Sequence, residues 1–84
     1  MKARRIRTVE QAFGRVIRTR RTSLAVSQEE LGFRSGLHRT FISQLERGVK
    51  SPSLRTLISI ARALETKADV LVREAERLWH ESTR

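Results

Sequence analysis

The side chains of this sequence best suited to contact another molecule are four polar residues: Arg39, Thr40, Ser43 and Gln44. Their spacing, at i, i+1, i+4 and i+5, places them on one face of an α-helix. A guanidinium can bond O6 and N7 of one guanine, a glutamine can reach an adenine edge or a backbone oxygen, and a threonine can contact a thymine methyl or a phosphate. The serine is the weaker candidate. Such a face fits duplex base edges, and a solvated helix surface is the alternative interpretation.

The opposite face of the same segment is apolar and can pack on a core. Its residues recur at helical spacing: Leu37, Phe41, Ile42 and Leu45. Gly36, just before them, suits a turn that needs a positive φ, and Gly32 suits a close crossing of two helices. Leu31 supplies an apolar contact on the preceding helix. The pattern predicts two short helices joined by a tight turn, the second able to enter a DNA major groove.

Three segments carry a resemblance to a known family: SQEEL (27–31), SGLHRTFISQLERG (35–48) and SPSLRTLISIARAL (51–64). They resemble the lambda-repressor-like, or Xre-like, family of bacterial DNA-binding domains, over about Phe13 to Leu78. Within it, LHRTFIS is similar to the recognition-helix segment of controller proteins of restriction–modification systems. The resemblance implies an all-α, compact five-helix lambda-repressor-like domain, with the helix-turn-helix at helices 2 and 3.

The same resemblance implies roles for individual residues. The family's base-contacting positions, at the start of the recognition helix, match the four polar residues named above. A glutamine at the position of Gln28 bonds a phosphate and buttresses the recognition helix. We also expect phosphate contacts from Ser27, His38, Arg47 and Arg21. Glu46, an acid close to the expected phosphates, is interpreted as a structural partner of a nearby arginine.

Capping signals set the expected helix boundaries. Helix 1 begins after Thr8, with Gln11 as its capping-box partner, and runs to about Arg21. Helix 2 opens with the S-x-x-E pair Ser27 and Glu30 and runs to about Ser35. Helix 3 follows an N-cap near His38 and ends near Arg47, with Gly48 as a C-cap signal.

Two further helices are expected. Ser51-Pro52-Ser53 opens helix 4, with Pro52 in its first turn. The apolar stripe expected on helix 4 consists of Leu54, Leu57, Ile58, Ala61 and Leu64. Helix 5 opens at a cap formed by Thr66 with Asp69 and runs to about Trp79.

Helix 5 carries two adjacent apolar stripes. The first consists of Leu71, Ala75 and Leu78, and the second of Ala68, Val72 and Trp79. One wide core face would explain both. The interpretation preferred here sends the first stripe inward and the second to a dimer partner, because the family often dimerises through this region.

The charge of the chain favours a function that involves a negatively charged partner. The 84 residues make one domain with a net charge of +9. The first 25 residues hold eight basic residues against one acidic residue, a net of +7, and the first seven, Met1 to Arg7, are expected to form a flexible basic arm before a single domain over 8–84. Such a patch attracts polyanions.

Other classes of protein lack support in the sequence. The chain has no cysteine, which excludes a disulfide framework and a thiol nucleophile. With two histidines, His38 and His80, and no clustered carboxylates, we expect no metal, cofactor, small-molecule ligand or catalysis. No apolar run suits a signal peptide or a membrane span, so the expected location is the cytoplasm.

The sequence therefore predicts a bacterial transcription regulator that binds a near-palindromic, double-stranded DNA operator as a homodimer. A restriction–modification controller is the leading subtype, and a phage-type repressor or an antitoxin is the alternative. A nonspecific cationic protein that binds RNA or a membrane surface is a different class. The capped helix-turn-helix argues against it, because nonspecific binding needs no such geometry.

Overall fold

The fold consists of five α-helices. The computed structural model describes residues 6–83, in which the helices are α1 (Val9–Ser23), α2 (Gln28–Ser35), α3 (Arg39–Glu46), α4 (Leu54–Ala63) and α5 (Ala68–Thr83). No strand occurs within that range. The expected all-α class and helix order are confirmed. Helix α1 packs against both α3 and α5, and α2 packs against α3 and α4.

Short polar side chains cap the helices where the sequence signals them. Thr8 Oγ1 accepts from the Gln11 N–H at 3.0 Å, and Ser27 Oγ accepts from the Glu30 N–H at 3.0 Å. Each bond satisfies a first-turn donor that has no partner inside the helix. The reciprocal half of each capping box is not made. The Gln11 side chain accepts from the Arg7 N–H, and the Glu30 carboxylate pairs with Arg34.

Helices α4 and α5 differ in detail from expectation. Ser53 is the N-cap of α4, so Pro52 lies just before the helix instead of in its first turn. Helix α5 begins at Ala68 and continues to Thr83, one turn beyond the expected end at Trp79. Helix α1 likewise continues to Ser23. These shifts leave the order and packing of the helices unchanged.

Every helix contributes to one hydrophobic core. Its largest fully buried side chains are Ile17, Leu31, Ile42, Leu45, Ile60, Leu64 and Leu71. Leu37, Phe41, Leu57, Ala68 and Leu78 pack around them and are partly buried. Both short helices of the candidate site therefore have one face fixed against the same core.

The buried stripe of α4 agrees only in part with the expected one, since Leu57, Ala61 and Leu64 face the core as expected. Ile60, Ala61 and Leu64 are buried, whereas Leu54 is 74 % exposed and Ile58 is also exposed. The sequence allows both phases, because apolar residues occupy most positions of this helix. The structure therefore leaves two large apolar side chains of α4 at the surface.

The predicted arm is partly attached to the domain. Ile6 is only 6 % exposed, and the Arg7 N–H donates to Gln11 Oε1 at 2.7 Å. Ile6 and Arg7 thus belong to the folded unit, because an apolar side chain gains by burial. The rest of the predicted arm, residues 1–5, lies outside the described residues.

Candidate nucleic-acid interface

The connection between α2 and α3 is fixed by Gly36 in the turn and by Gly32 within α2. Gly36 has φ +73° and ψ 26°, a left-handed conformation that glycine adopts without strain. A Cβ added to Gly32 would lie 2.6 Å from the Leu37 carbonyl oxygen. The Leu37 N–H donates back to the Gly32 carbonyl at 2.8 Å. The turn thus holds α3 at one orientation relative to α2, as the sequence predicts.

Helix α3 has the two faces that its spacing predicts. Ile42 and Leu45 are fully buried, and Phe41 packs against the core. Arg39 and Thr40 are exposed on the other side, whereas Ser43 and Gln44 are half-buried. The structure therefore places all four candidate base readers on one face, with the two most accessible at the start of the helix. Their contacts with bases stay a prediction.

His38 is the N-cap of α3. Its Nδ1 accepts from the Thr40 N–H at 3.1 Å. In the neutral imidazole the proton then sits on Nε2, because a ring nitrogen that accepts carries no hydrogen. The Nε2–H of this exposed ring is then directed to solvent or to a ligand, and the phosphate contact of His38 stays a prediction.

An ion pair ties α1 to the end of α3. Arg21 Nε and Nη2 donate to the two oxygens of Glu46 at 2.6 and 3.0 Å, and Arg21 Nη1 donates to the Val26 carbonyl at 2.9 Å. The two side chains are only 12 % and 4 % exposed. The expected structural role of Glu46 is confirmed. The guanidinium of Arg21 is engaged in this interior pair, and its phosphate contact stays a prediction.

Gln28 joins the same network from the start of α2. Its Nε2 donates to Glu46 Oε1 at 3.0 Å, and the side chain is half-buried. The carboxylate of Glu46 therefore holds α1, α2 and α3 together. Gln28 contacts the recognition helix as the resemblance implies, and its phosphate contact stays a prediction. Ser27 and Arg47, both exposed, lie at the start of α2 and just after α3.

Two residues that the sequence did not single out shape this surface. A Cβ on Gly14 would lie 2.3 Å from the Leu45 carbonyl oxygen and 2.5 Å from that of Glu46. The missing side chain lets α1 touch the end of α3. Arg18, one turn further along α1, is exposed beside the same region. The excess of basic residues in the first 25 positions was the only sequence signal for it.

The predicted dimer residues of α5 have different environments. Val72 is exposed, Trp79 is half-buried, and Ala68 packs against the hydrophobic core. Trp79 Nε1 is buried without an acceptor among the described residues. Ala68 thus has one side against the core, and the dimer contacts of all three residues stay predictions. Val72 lines an apolar groove of about 220 Å³ with Leu57 of α4.

Three other features of the described residues do not indicate a function. Phe33 on α2 is 83 % exposed, and nothing in the structure explains it. Among residues 6–83, no helix is both long and apolar enough to cross a bilayer. The same residues include no cluster of three side chains that could hold a metal ion.

Comparison with known proteins identifies the family. A helix-turn-helix family model matches residues 17–71, well over half of the chain. The chain therefore belongs to the helix-turn-helix family of Xre-like, lambda-repressor-like DNA-binding domains. The resemblance found in the sequence is confirmed.

Curated relatives include regulators of two kinds. The HTH-type transcriptional regulator Rv0474 of Mycobacterium tuberculosis is 43 % identical over 58 residues, which are 69 % of this chain and 41 % of the relative. The chain thus spans less than half the length of that relative. The control protein C.SmaI of Serratia marcescens is 38 % identical over 64 residues, and the alignment covers 76 % of each chain.

Solved structures share the fold. The clp gene regulator ClgR of Corynebacterium glutamicum superposes with a TM-score of 0.86 at 27 % identity, covering 92 % of this chain and 82 % of the other. The restriction–modification controller C.Esp1396I, solved as a tetramer with its natural 35-base-pair operator, gives 0.77 at 25 % identity, covering 89 % and 99 %. The lambda-repressor-like fold class is confirmed.

Proposed function

We propose that this chain is a bacterial transcription regulator that binds operator DNA in a sequence-specific manner, with α3 in the major groove. The observation that carries the proposal is that α3 is fixed in position at its apolar face and at both ends. One face is locked in the core, the turn before it is fixed at Gly36, and its end is tied to two other helices through Glu46. A helix fixed in this way needs no further ordering of its backbone on binding, and only its polar side chains lose freedom.

The base-reading residues follow from their positions on that face. Arg39 is assigned to a guanine, because its guanidinium is exposed at the start of α3 and can bond O6 and N7 together. Thr40 is assigned to a thymine methyl or a phosphate. Gln44, one turn beyond Thr40, is assigned to an adenine edge or a backbone oxygen, with Ser43 as a weaker contact.

Backbone phosphates are assigned to the rim of the same surface. Ser27 and Gln28 stand at the N-terminus of α2, where free N–H groups attract an anion. His38 offers Nε2–H at the start of α3, and Arg47 offers its charge at the end. Contacts of this kind set the register of the protein on the duplex, and the base contacts supply the sequence preference.

The proposed functional unit is a homodimer on a near-palindromic operator. One helix as short as α3 reads few base pairs, and a two-fold dimer doubles the site. The supporting observation is the apolar surface shared by α4 and α5. Leu54 and Ile58 are exposed one turn apart, and the neighbouring Leu57 lines a groove with Val72.

The proposed subtype is the controller of a restriction–modification system, acting in the cytoplasm without a cofactor or catalysis. It is supported by similarity to C.SmaI over about three-quarters of both chains. A phage-type repressor and an antitoxin are the alternatives. Neighbouring genes for a methyltransferase and an endonuclease would support the controller, and a neighbouring toxin gene would support the antitoxin.

The proposal is tested by fluorescence anisotropy with two labelled duplexes at the same salt concentration. One is the promoter region of the chain's own gene, and the other is a shuffled duplex of equal length and composition. We expect the promoter to bind at least 100-fold more tightly, since specific complexes exceed nonspecific ones by about 10³-fold or more. Equal affinities would contradict the proposal and favour nonspecific cationic binding.

A further inference from the structure

An open cleft of about 450 Å³ lies between α1, the start of α2 and the end of α3. Its charged lining consists of Arg15, Arg18, Arg21, Arg47 and Glu46. Arg21 and Glu46 neutralise each other across 2.6 Å, and the carboxylate is only 4 % exposed. The cleft therefore keeps a positive excess on its open side, where an anion can approach without meeting the carboxylate.

The positive excess is built by the contact between α1 and α3. Because Gly14 lets α1 touch the carbonyls of Leu45 and Glu46, the following turn of α1 lies beside the end of α3. Arg18 and Arg47 consequently line the same cleft, and both are exposed. Neither forms a salt bridge with any residue in 6–83. Two like charges around one cleft are stabilised by an anion between them.

We propose that this cleft binds a phosphate of the DNA backbone, contacted by Arg18 from α1 and Arg47 from the end of α3. This inference rests on the proposed function, because Gln28 and Ser43 line the cleft and also belong to the candidate interface. A duplex lying along α3 brings its backbone to the edge of the groove that this cleft borders. Helix α1 thereby becomes a third DNA-contacting helix, beside α2 and α3.

The test compares the salt dependence of operator binding for the full chain and three variants. Arg18→Gln should reduce the slope of log K against log salt by about 0.9 for each bound protomer. Arg18→Lys keeps the charge and should keep the slope. Arg62→Gln removes an equal charge from an exposed site on α4 outside the cleft and should also leave the slope unchanged. Base preference should not change in any variant, and circular dichroism verifies folding.

A second arm identifies the source of the phosphate. Operators carrying one neutral methylphosphonate at a time should reveal a position that weakens binding by the wild type. At that position Arg18→Gln should lose no further affinity, because the contact is already absent. Calorimetry with inorganic phosphate alone should show no site on the free protein. Saturable binding of inorganic phosphate that Arg18→Gln abolishes would instead identify a free-anion site and overturn the backbone assignment.

Failure of this inference is distinguishable from failure of the proposed function. If the wild type discriminates operator from shuffled duplex and Arg18→Gln keeps the wild-type slope, only the backbone contact by Arg18 is overturned. If the wild type does not discriminate, the proposed function is overturned. The slope on shuffled duplex still tests Arg18 in that case, because phosphate contacts do not depend on sequence.

Discussion

At the scale of single residues, Glu46 is the junction of the candidate interface. Its carboxylate accepts from Arg21 on α1 and from Gln28 on α2, while its own backbone ends α3. An acidic residue so close to expected DNA phosphates is tolerable because both oxygens are paired and the side chain is almost completely buried. The acid therefore positions the interface and does not oppose the nucleic acid.

Removing Glu46 should destabilise the fold. Glu46→Ala leaves the guanidinium of Arg21 buried without its counter-charge, and such losses cost about 3 kcal/mol or more. Urea denaturation of the wild type and the variant measures the difference. Glu76→Ala, at an exposed position of α5, is the matched control and should change the free energy of unfolding by less than about 0.5 kcal/mol. A loss below about 1 kcal/mol for Glu46→Ala would show that the pair contributes little.

Arg39→Ala should weaken operator binding by roughly 1–3 kcal/mol and remove discrimination at one base pair of each half-site. The reason is its exposed place at the start of α3. Anisotropy titrations against operators substituted at each position provide the measurement, with Arg62→Ala as the control for loss of charge. Wild-type affinity together with an unchanged base preference would remove Arg39 from the readout.

At the scale of elements, local signals in the sequence predicted where the helices begin. Tertiary packing decided which face of a helix is buried. Thr8, Ser27 and His38 cap their helices as the sequence indicates, because a cap depends on residues only two or three positions away. The complete buried face of α4 could not be predicted, since two overlapping apolar stripes fit its sequence. Only contact with the other helices selects the stripe that contains Ile60.

The site was predictable where one helix carries it and unpredictable where several helices meet. The two faces of α3 follow from spacing alone. The sequence indicated that Glu46 has an arginine partner, but Arg21 lies 25 residues away and could not be selected among the many arginines of the chain. The cleft at Arg18 depends on the close contact of α1 with α3 at Gly14, and no periodicity reports such a contact.

Gly14→Ala should separate α1 from α3. In an open helix this change stabilises by about 1 kcal/mol through helix propensity. Here the new Cβ would lie 2.3 Å from a backbone oxygen, so we expect a net loss of about 1–3 kcal/mol, as overpacking produces. Thermal and urea unfolding measure the change.

Gly36→Ala is the comparison for that prediction. A Cβ at Gly36 meets nothing within 4 Å, so its only cost is the left-handed backbone, about 1 kcal/mol. A Gly14→Ala variant at least as stable as the wild type would show that the contact between α1 and α3 is adjustable.

At the scale of the whole molecule, the helices present two surfaces of different chemistry to solvent. One is the basic and polar surface formed by α1, α2 and α3, and the other is the apolar surface of α4 and α5. A chain of 84 residues buries only about 60–65 % of its extended-chain surface and has modest stability, so covering exposed Leu54 and Ile58 by a second copy would add stability. The two grooves share no lining residue, so the proposed dimer would leave the proposed DNA-binding surface open.

Charge introduced on the apolar surface should produce a folded monomer. We expect the double variant Ile58→Glu, Val72→Glu to sediment as a monomer, keep its helical circular dichroism and bind the operator weakly, because glutamate is costly to bury in an interface. Trp79 is avoided, since its buried Nε1 indicates packing within the domain. Val49→Glu, at an exposed loop position, is the control and should stay dimeric. A double variant that unfolds would assign both residues to the core, and one that remains dimeric would place the interface elsewhere.

Selection from a pool of random duplexes tests whether a symmetric dimer of this chain reads DNA sequence through α3. We expect an enriched, near-palindromic motif whose half-sites lie about 10 base pairs, or about 34 Å, apart. The same selection with Arg39→Ala should lose preference at one symmetric pair of positions and retain the spacing. An unenriched pool would show that α3 does not read sequence, and a motif without two-fold symmetry would show that the protein does not bind as a symmetric dimer.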